Sequence, residues 1–481
     1  MSNLKKVLIN GAAWSLFGRM ASLVVVLFTN IWLARLLSPD EFGQVGVIMF
    51  FVGIANVLTE GGLGGALVRK KEATINDYST VFVTNLIFSL ICYVLIFVAS
   101  NRIAAYYDDP LIKKLLLVAS LVLIINSFQI TQNAKLMSDL KFKKYSIYTF
   151  ISVIVASVIG VILAYQGLGV WALVVIQLLT AGMYTILLWI FEGFYLRLYF
   201  SKKSFKELYG FGINTTLASI LNTAFENVYQ LILARYFSFQ QTGFFYQAKK
   251  LQDVPGGIIT TLTQGVLFSS LAKFQDNKKS FSSIFNEINV YFMVLLAFIS
   301  TFIYVYAKPV VLLLFGEKWM GSVFYLQLLT IASFFYLLEK LNRIIFKVFN
   351  QTKKILYLEY LKKSIQAVTI LIGIYYVNLT LLIIGFVFTS TISYFFNYYY
   401  SHKIIDAVKT SQLVKLFKII GISVTTALLC LNGVSFFNIK GLDYFWSLPL
   451  FFICYFLLIQ SLEVLNLGKE LNKLYSIYRK S

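Results

Sequence analysis

Long apolar runs, separated by short polar and basic stretches, fill the chain from end to end. Runs such as 151–164 and 291–306 are continuously apolar and do not alternate, which is the pattern of spanning helices and excludes an outer-membrane barrel. A spanning helix takes about 20 mostly apolar residues. Runs of that length lie near 11–33, 44–66, 79–99, 111–131, 146–165, 170–190, 211–234 and 243–270. Six more lie near 287–307, 322–342, 355–377, 379–400, 417–437 and 444–464. The expected fold class is all-α, a polytopic membrane protein with about 14 transmembrane helices.

Composition narrows the class. With 59% hydrophobic and 13% charged residues, the chain is neither a soluble globular protein nor a disordered one, and little is left for an extramembrane domain. The net charge of +21 raises the question of nucleic acid, but the positions of the cations answer it. With the N-terminus in the cytoplasm, 28 of the 42 Lys and Arg fall in inside segments, 8 outside and 6 within spans. This bias predicts a multi-pass membrane protein with both termini cytoplasmic and no nucleic-acid partner. The run 11–33 is too long for a cleavable signal core and is expected to remain as the first span.

Little catalytic chemistry is on offer. Cys92, Cys430 and Cys454 sit in apolar runs without CxxC spacing, and His402 is the only histidine. Zinc sites and Ser/His triads are therefore unsupported, and no GxxxxGK[ST] phosphate loop occurs. The longest outside segment, Lys308 to Gly321, is read as a loop too short for a catalytic domain. The expectation is a protein that is not an enzyme and needs no cofactor or metal.

An internal repeat organises the spans. Leu33-Ala34-Arg35-Leu36-Leu37-Ser38 matches Leu233-Ala234-Arg235-Tyr236-Phe237-Ser238, and Gly43 matches Gly243, all at an offset of 200. Six spans separate the copies, so the halves are expected to be parallel repeats about an axis along the membrane normal. The domain boundaries that follow are a first six-helix lobe over 1–200, a second over 201–402, and two trailing helices with a cytoplasmic tail over 403–481.

Charges inside spans cost about 2.5–3.5 kcal/mol each on insertion scales, so they mark a wet cavity or a partner. The opening pair of each repeat carries Arg19, Glu60, Glu226, Lys249, Lys250 and Asp253. Counting rise along the helices puts Arg19 and Glu60 about 12 and 9 Å from the cytoplasmic side, where they can meet. Glu226 with Lys249 and Lys250 makes a second group in the outer half. Structural ion pairing is the competing reading for both groups. Adjacent helical positions differ by about 100°, however, so Lys249 and Lys250 cannot both satisfy Glu226, and one should face water or an anion. Glu339 with Lys340, and Glu359 with Lys362 and Lys363, are expected to snorkel at cytoplasmic ends. Pro255, Gly256 and Gly257 predict a hinge in the eighth span, and Gly61 to Gly65 read equally as a compliant gate or a frayed helix end.

Three stretches, Ala34 to Gly43, Gly62 to Arg69 and Gly169 to Val174, resemble signatures of bacterial Wzx-type polysaccharide flippases. Gly243 through Asp253-Val254-Pro255-Gly256, and Leu271 to Asp276, resemble the same group, so the likeness runs to about residue 280. Those flippases belong to the multidrug/oligosaccharidyl-lipid/polysaccharide exporter superfamily. The resemblance implies two six-helix lobes in a V plus two C-terminal helices, in a bacterial inner membrane. It also implies transfer of an undecaprenyl-pyrophosphate-linked oligosaccharide to the periplasmic leaflet, by alternating access through a cationic central cavity. On that basis Arg19, Lys249, Lys250, Arg35 and Arg235 are the expected substrate-binding residues, and Glu60, Glu226 and Asp253 the expected ion-coupling or charge-pair residues. Span 2 departs from the family pattern by carrying Glu60 in place of a base. The implied partners are the polyprenyl-pyrophosphate-linked glycan, membrane lipid and other polysaccharide assembly proteins. Two rival readings are a cation-coupled multidrug exporter, which needs a net acidic cavity, and a membrane glycosyltransferase or glycan polymerase, which needs a sizeable catalytic loop where the outside segments, with the paired acids Asp108-Asp109, are short.

Overall fold

The computed structural model describes residues 2–70, 72–192, 198–263, 267–405, 410–436, 441–462 and 464. Arg197, Lys71, Lys409, Lys440 and the expected cytoplasmic tail with Lys469, Lys473, Arg479 and Lys480 lie outside the described residues. Within them the chain is helical and has no strand. It divides into two compact units, Met1–Tyr246 and Gln247–Ser481.

The first unit contains α1 (Ser2–Leu36), α2 (Pro39–Glu60), α3 (Leu63–Arg69), α4 (Ile75–Tyr106), α5 (Pro110–Ala119), α6 (Leu121–Ser138), α7 (Phe142–Tyr165), α8 (Val170–Phe191), α9 (Lys202–Tyr236) and the start of α10 (Phe239–Leu262). Several starts follow from the sequence. Ser38 and Glu41 form a reciprocal capping box before α2, with Pro39 at its first position, and Thr74 with Asp77 does the same for α4. The Gly-rich end of the second span is a built break. Gly61 and Gly62 adopt φ of 54° and 65°, a left-handed conformation that costs glycine little, and the helix restarts as α3.

Small residues set which helices touch. Helix α1 packs along α7, and α2 packs along α9. A Cβ on Gly18 would lie 2.5 Å from the Ser146 Cβ, and one on Gly160 of α7 would lie 2.0 Å from Ile176 of α8. Lipid tails are as apolar as leucine, so close approach through such residues, not hydrophobicity, selects partners here. At one end of α7 and α8, Glu192 accepts from Lys141 (3.2 Å), Tyr148 (3.0 Å) and Lys144. Burial alone would raise its pKa, but these donors outweigh it and hold the carboxyl below its ordinary value.

The turns closing α1 and α9 are built alike and face each other. The Ser38 hydroxyl accepts from the Glu41 amide, and the Ser238 hydroxyl from the Gln241 amide at 3.1 Å. A Cβ on Gly43 would lie 2.0 Å from the Phe239 carbonyl oxygen, and one on Gly243 would lie 1.8 Å from the Pro39 carbonyl oxygen. Positions 39 and 43 thus meet 239 and 243 reciprocally, as an isologous two-fold contact does. The 200-residue offset read from sequence is physically present in this contact.

The second unit holds the rest of α10, then α11 (Phe268–Ala272), α12 (Lys278–Val305), α13 (Ala307–Phe315), α14 (Ser322–Val348), α15 (Thr352–Tyr375), α16 (Leu379–Ile404), α17 (Thr410–Phe436) and α18 (Leu448–Ser461). Its core is α14 packed on α16, with α12 against both α14 and α17. The segment read as the Lys308–Gly321 loop is mostly structured, with α13 followed by a short 3-10 turn over Glu317–Trp319. The cause is apolar content: Val311, Phe315 and Trp319 are buried.

Among the described residues, 11 helical segments are long and apolar enough to cross a membrane. The exceptions among the long helices are α9, α10 and α15, which the fourteen-span reading also requires. They carry Glu226, then Lys249, Lys250 and Asp253, then Glu359, Lys362 and Lys363. The helices too polar for plain hydrocarbon are therefore those with most of the candidate functional charges.

We expect Gly43→Ala or Gly243→Ala to destabilise the purified protein by about 1–3 kcal/mol through overpacking against backbone. Gly182→Ala, where a Cβ meets nothing within 4 Å, should leave the thermal midpoint unchanged or slightly raised. Equal midpoints for all three variants would contradict the close contact.

Candidate functional site

In the first unit the expected Arg19–Glu60 meeting does not occur. Arg19 on α1 is exposed and forms no ion pair among the described residues, and Glu60 is exposed at the end of α2. The reason is packing: α1 lies along α7 and α2 along α9, so equal depth does not bring these side chains together. Glu226 on α9 is exposed, as is Arg35 at the end of α1. Arg235, its repeat counterpart, donates to Asp108 at 2.9 Å and stacks over the Tyr106 ring at 4.6 Å. Cation–π stacking and an exposed carboxylate partner hold this guanidinium at the helix end.

The second unit carries Lys249, Lys250 and Asp253 on α10. Both lysines are half-buried and Asp253 is exposed. Helical spacing puts Lys249 and Asp253 on one face, with Lys250 turned about 100° away. Helix α10 runs through Pro255 without ending, and Cβ atoms on Gly256 or Gly257 would meet nothing within 4 Å. Side chains link α10 to α14: Gln252 donates to the Ser333 hydroxyl at 2.6 Å, and Lys340 donates to the Thr260 hydroxyl at 3.2 Å. The Lys340 ammonium also lies 4.3 Å from the centre of the Tyr336 ring, and Lys362 lies 4.8 Å from it.

The snorkelling expected of the Glu339 and Glu359 groups is corrected by the structure. Glu339 is 0% exposed and Lys362 9%. Lys362 donates to Glu339 at 3.0 Å, while Arg343 bridges Glu339 and Glu359. Two cations and two carboxylates thus form a closed, neutral quartet. Helix α14 continues to Val348 and α15 begins at Thr352, so these residues lie at least a turn inside the helices, where Glu339 and Lys362 are buried and Arg343 and Glu359 only partly exposed. The charge spacing was visible in the sequence, but the depth was not, because the apolar run ends before the helix does. Taken together, α10, α14 and α15 carry nine Lys and Arg against three acids, so the quartet leaves a surplus of positive charge on these helices.

The polysaccharide biosynthesis protein family matches residues 32–324, more than half of the chain. The chain belongs to this family. The match reaches beyond residue 280, where the sequence likeness was read to stop, and takes in α12 and α13. The succinoglycan biosynthesis transport protein ExoT of Rhizobium meliloti is 25% identical over 328 residues, covering 68% of this chain and 66% of the relative. The lipopolysaccharide biosynthesis protein WzxC of Escherichia coli is 24% identical over 338 residues, covering 69% of this chain and 68% of the relative. The chain thus spans about two thirds of the length of these relatives. Among solved structures, the lipid II flippase MurJ in an inward closed conformation matches with a TM-score of 0.74 at 14% identity, over 93% of this chain and 98% of that one. An inward-facing multidrug resistance transporter of the MATE family matches with a TM-score of 0.63 at 17% identity, over 83% of this chain and 99% of that one. At such identities the likeness is one of fold: this chain has the all-helical fold of these two solved structures.

Removing one member of the quartet strands its partners. We expect Glu339→Gln to destabilise by about 3–5 kcal/mol, with part recovered in Glu339→Gln/Lys362→Met. The exposed Glu287→Gln is the control. Thermal unfolding in detergent reads the difference, and equal effects of the Glu339 and Glu287 substitutions would contradict a buried network.

Proposed function

We propose that this member of the family is a flippase, carrying an undecaprenyl-pyrophosphate-linked oligosaccharide from the cytoplasmic to the periplasmic leaflet of a bacterial inner membrane. Both termini then lie in the cytoplasm, as the bias of Lys and Arg requires. The observation that carries the reading is the adjacent, half-buried pair Lys249 and Lys250, held midway along α10 in a transporter fold. Hydrocarbon does not accommodate fixed ammonium groups without a wet surface or an anion.

The physical problem is a pyrophosphate that cannot shed its water into lipid. Lys249 and Lys250 replace that hydration with charge-assisted hydrogen bonds to the phosphate oxygens, while the polyprenyl tail remains in the bilayer. Arg19, exposed on α1, offers a further cation on the cytoplasmic half. Arg35 and Arg235 stand at the opposite ends of their helices, where the phosphate leaves. An inside-negative potential favours outward movement of anionic charge by about 2.3 kcal/mol per charge per 100 mV, which supplies a driving force without ATP. Pro255 with Gly256 and Gly257 gives α10 a compliant point one turn beyond the lysines. The cationic surplus on α10, α14 and α15 favours an anionic cargo over a cationic drug.

Lys249→Ala/Lys250→Ala should insert and fold in membranes yet abolish glycan display at the cell surface in a strain relying on this protein. Normal display with normal protein levels would refute the assignment.

A further inference from the structure

A crevice of about 490 Å³ lies inside the first unit between α2, α4 and α9, at the end that carries Arg35 and Arg235. Its body is apolar, with Phe51, Ala99 and Ile103 facing Val228, Leu231 and Ile232. Its mouth is polar: Arg102 and the tyrosines 106, 107 and 236 close the end nearest the helix termini. Arg102 is exposed and has no acidic partner among the described residues. This volume is typical of ligand sites, roughly 300–1,000 Å³, and far above the roughly 150 Å³ of an apolar void that stays empty in a protein core.

The surroundings identify the occupant. Val98 and Leu95 lie on the Arg102 side of α4, one and two turns deeper, and are 69% and 61% exposed. Beyond the crevice this face of α4 is apolar and exposed, which gives an acyl chain a sideways approach to it. Arg102 is four residues from Tyr106, the last residue of α4, or about 6 Å from the helix end, which is headgroup depth. An apolar slot running inward from a single uncompensated cation has the polarity of one phospholipid, with its chain inside and its phosphate at the mouth. We infer that this crevice is a binding site for an anionic phospholipid, with one acyl chain between α4 and α9 and the phosphate on Arg102. The inference does not depend on the flippase reading, and it holds whichever leaflet faces this end. The site also adjoins the repeat contact, since the Tyr107 ring packs 6.3 Å from that of Phe239, whose carbonyl meets Gly43.

The test uses the full chain in phosphatidylcholine vesicles containing a trace of phosphatidylglycerol with a photoactivatable acyl chain, followed by mapping of labelled peptides. Labelling should concentrate on 99–107 and 228–236, be competed by unlabelled phosphatidylglycerol, and fall about tenfold in Arg102→Gln while surviving in Arg102→Lys. Ala99→Trp, which fills the slot, should abolish it, with thermal unfolding confirming that the variant is folded. If that variant does not fold, the two Arg102 variants decide alone. Uniform labelling of lipid-facing helices would overturn the site, as would equal labelling by a phosphatidylcholine probe or no change in Arg102→Gln. Competition by undecaprenyl phosphate as effective as that by phosphatidylglycerol would overturn the phospholipid assignment.

Discussion

The cost of placing charge in hydrocarbon organises this molecule. Each intramembrane ionisable side chain must be neutralised by a neighbour, reach a helix end, or face water. The first two solutions are seen among the described residues. Glu339, Glu359, Arg343 and Lys362 neutralise one another in a closed quartet. Arg235 sits at the end of α9 with Asp108 and Tyr106. Lys249 and Lys250 lie midway along α10 and are half-buried. The helices that fail as plain spans, α9, α10 and α15, are those on which these arrangements are concentrated.

A second constraint is the absence of a hydrophobic force between helices in lipid, which leaves contact geometry to decide the packing. Glycine makes that geometry. Gly18 and Gly160 bring α1 and α8 onto α7, and Gly43 with Gly243 bring the two repeat turns into backbone contact. The reciprocal contact joins positions 200 residues apart at one end of the first unit, while the break at Gly61–Gly62 ends α2 and Pro255 lies inside the continuous α10.

The all-helical fold and most helix positions were legible in the sequence because they rest on a local signal, the length of each apolar run. Helix partners were not. Arg19 and Glu60 have matching depths, yet depth carries no information about azimuth, and α1 packs on α7. The quartet was misplaced for a related reason. Hydropathy ended the tenth span at 342, just before Arg343, while the α14 backbone continues to Val348 and Arg343 finds a counter-charge in Glu359 of α15. The α13 helix was missed because Pro309 and the charges at Lys308 and Glu317 read as loop punctuation, whereas the buried residues between them hold a short helix.

The account rests on Lys249 and Lys250 facing water in a positive environment, and side-chain accessibility tests this directly. Lys249→Cys and Lys250→Cys, each retaining the other lysine, should be modified in membrane vesicles by water-soluble methanethiosulfonates, with the anionic reagent reacting faster than the cationic one. At least one of the two positions must behave this way. Failure of both to react, or faster reaction with the cationic reagent, would contradict the central claim.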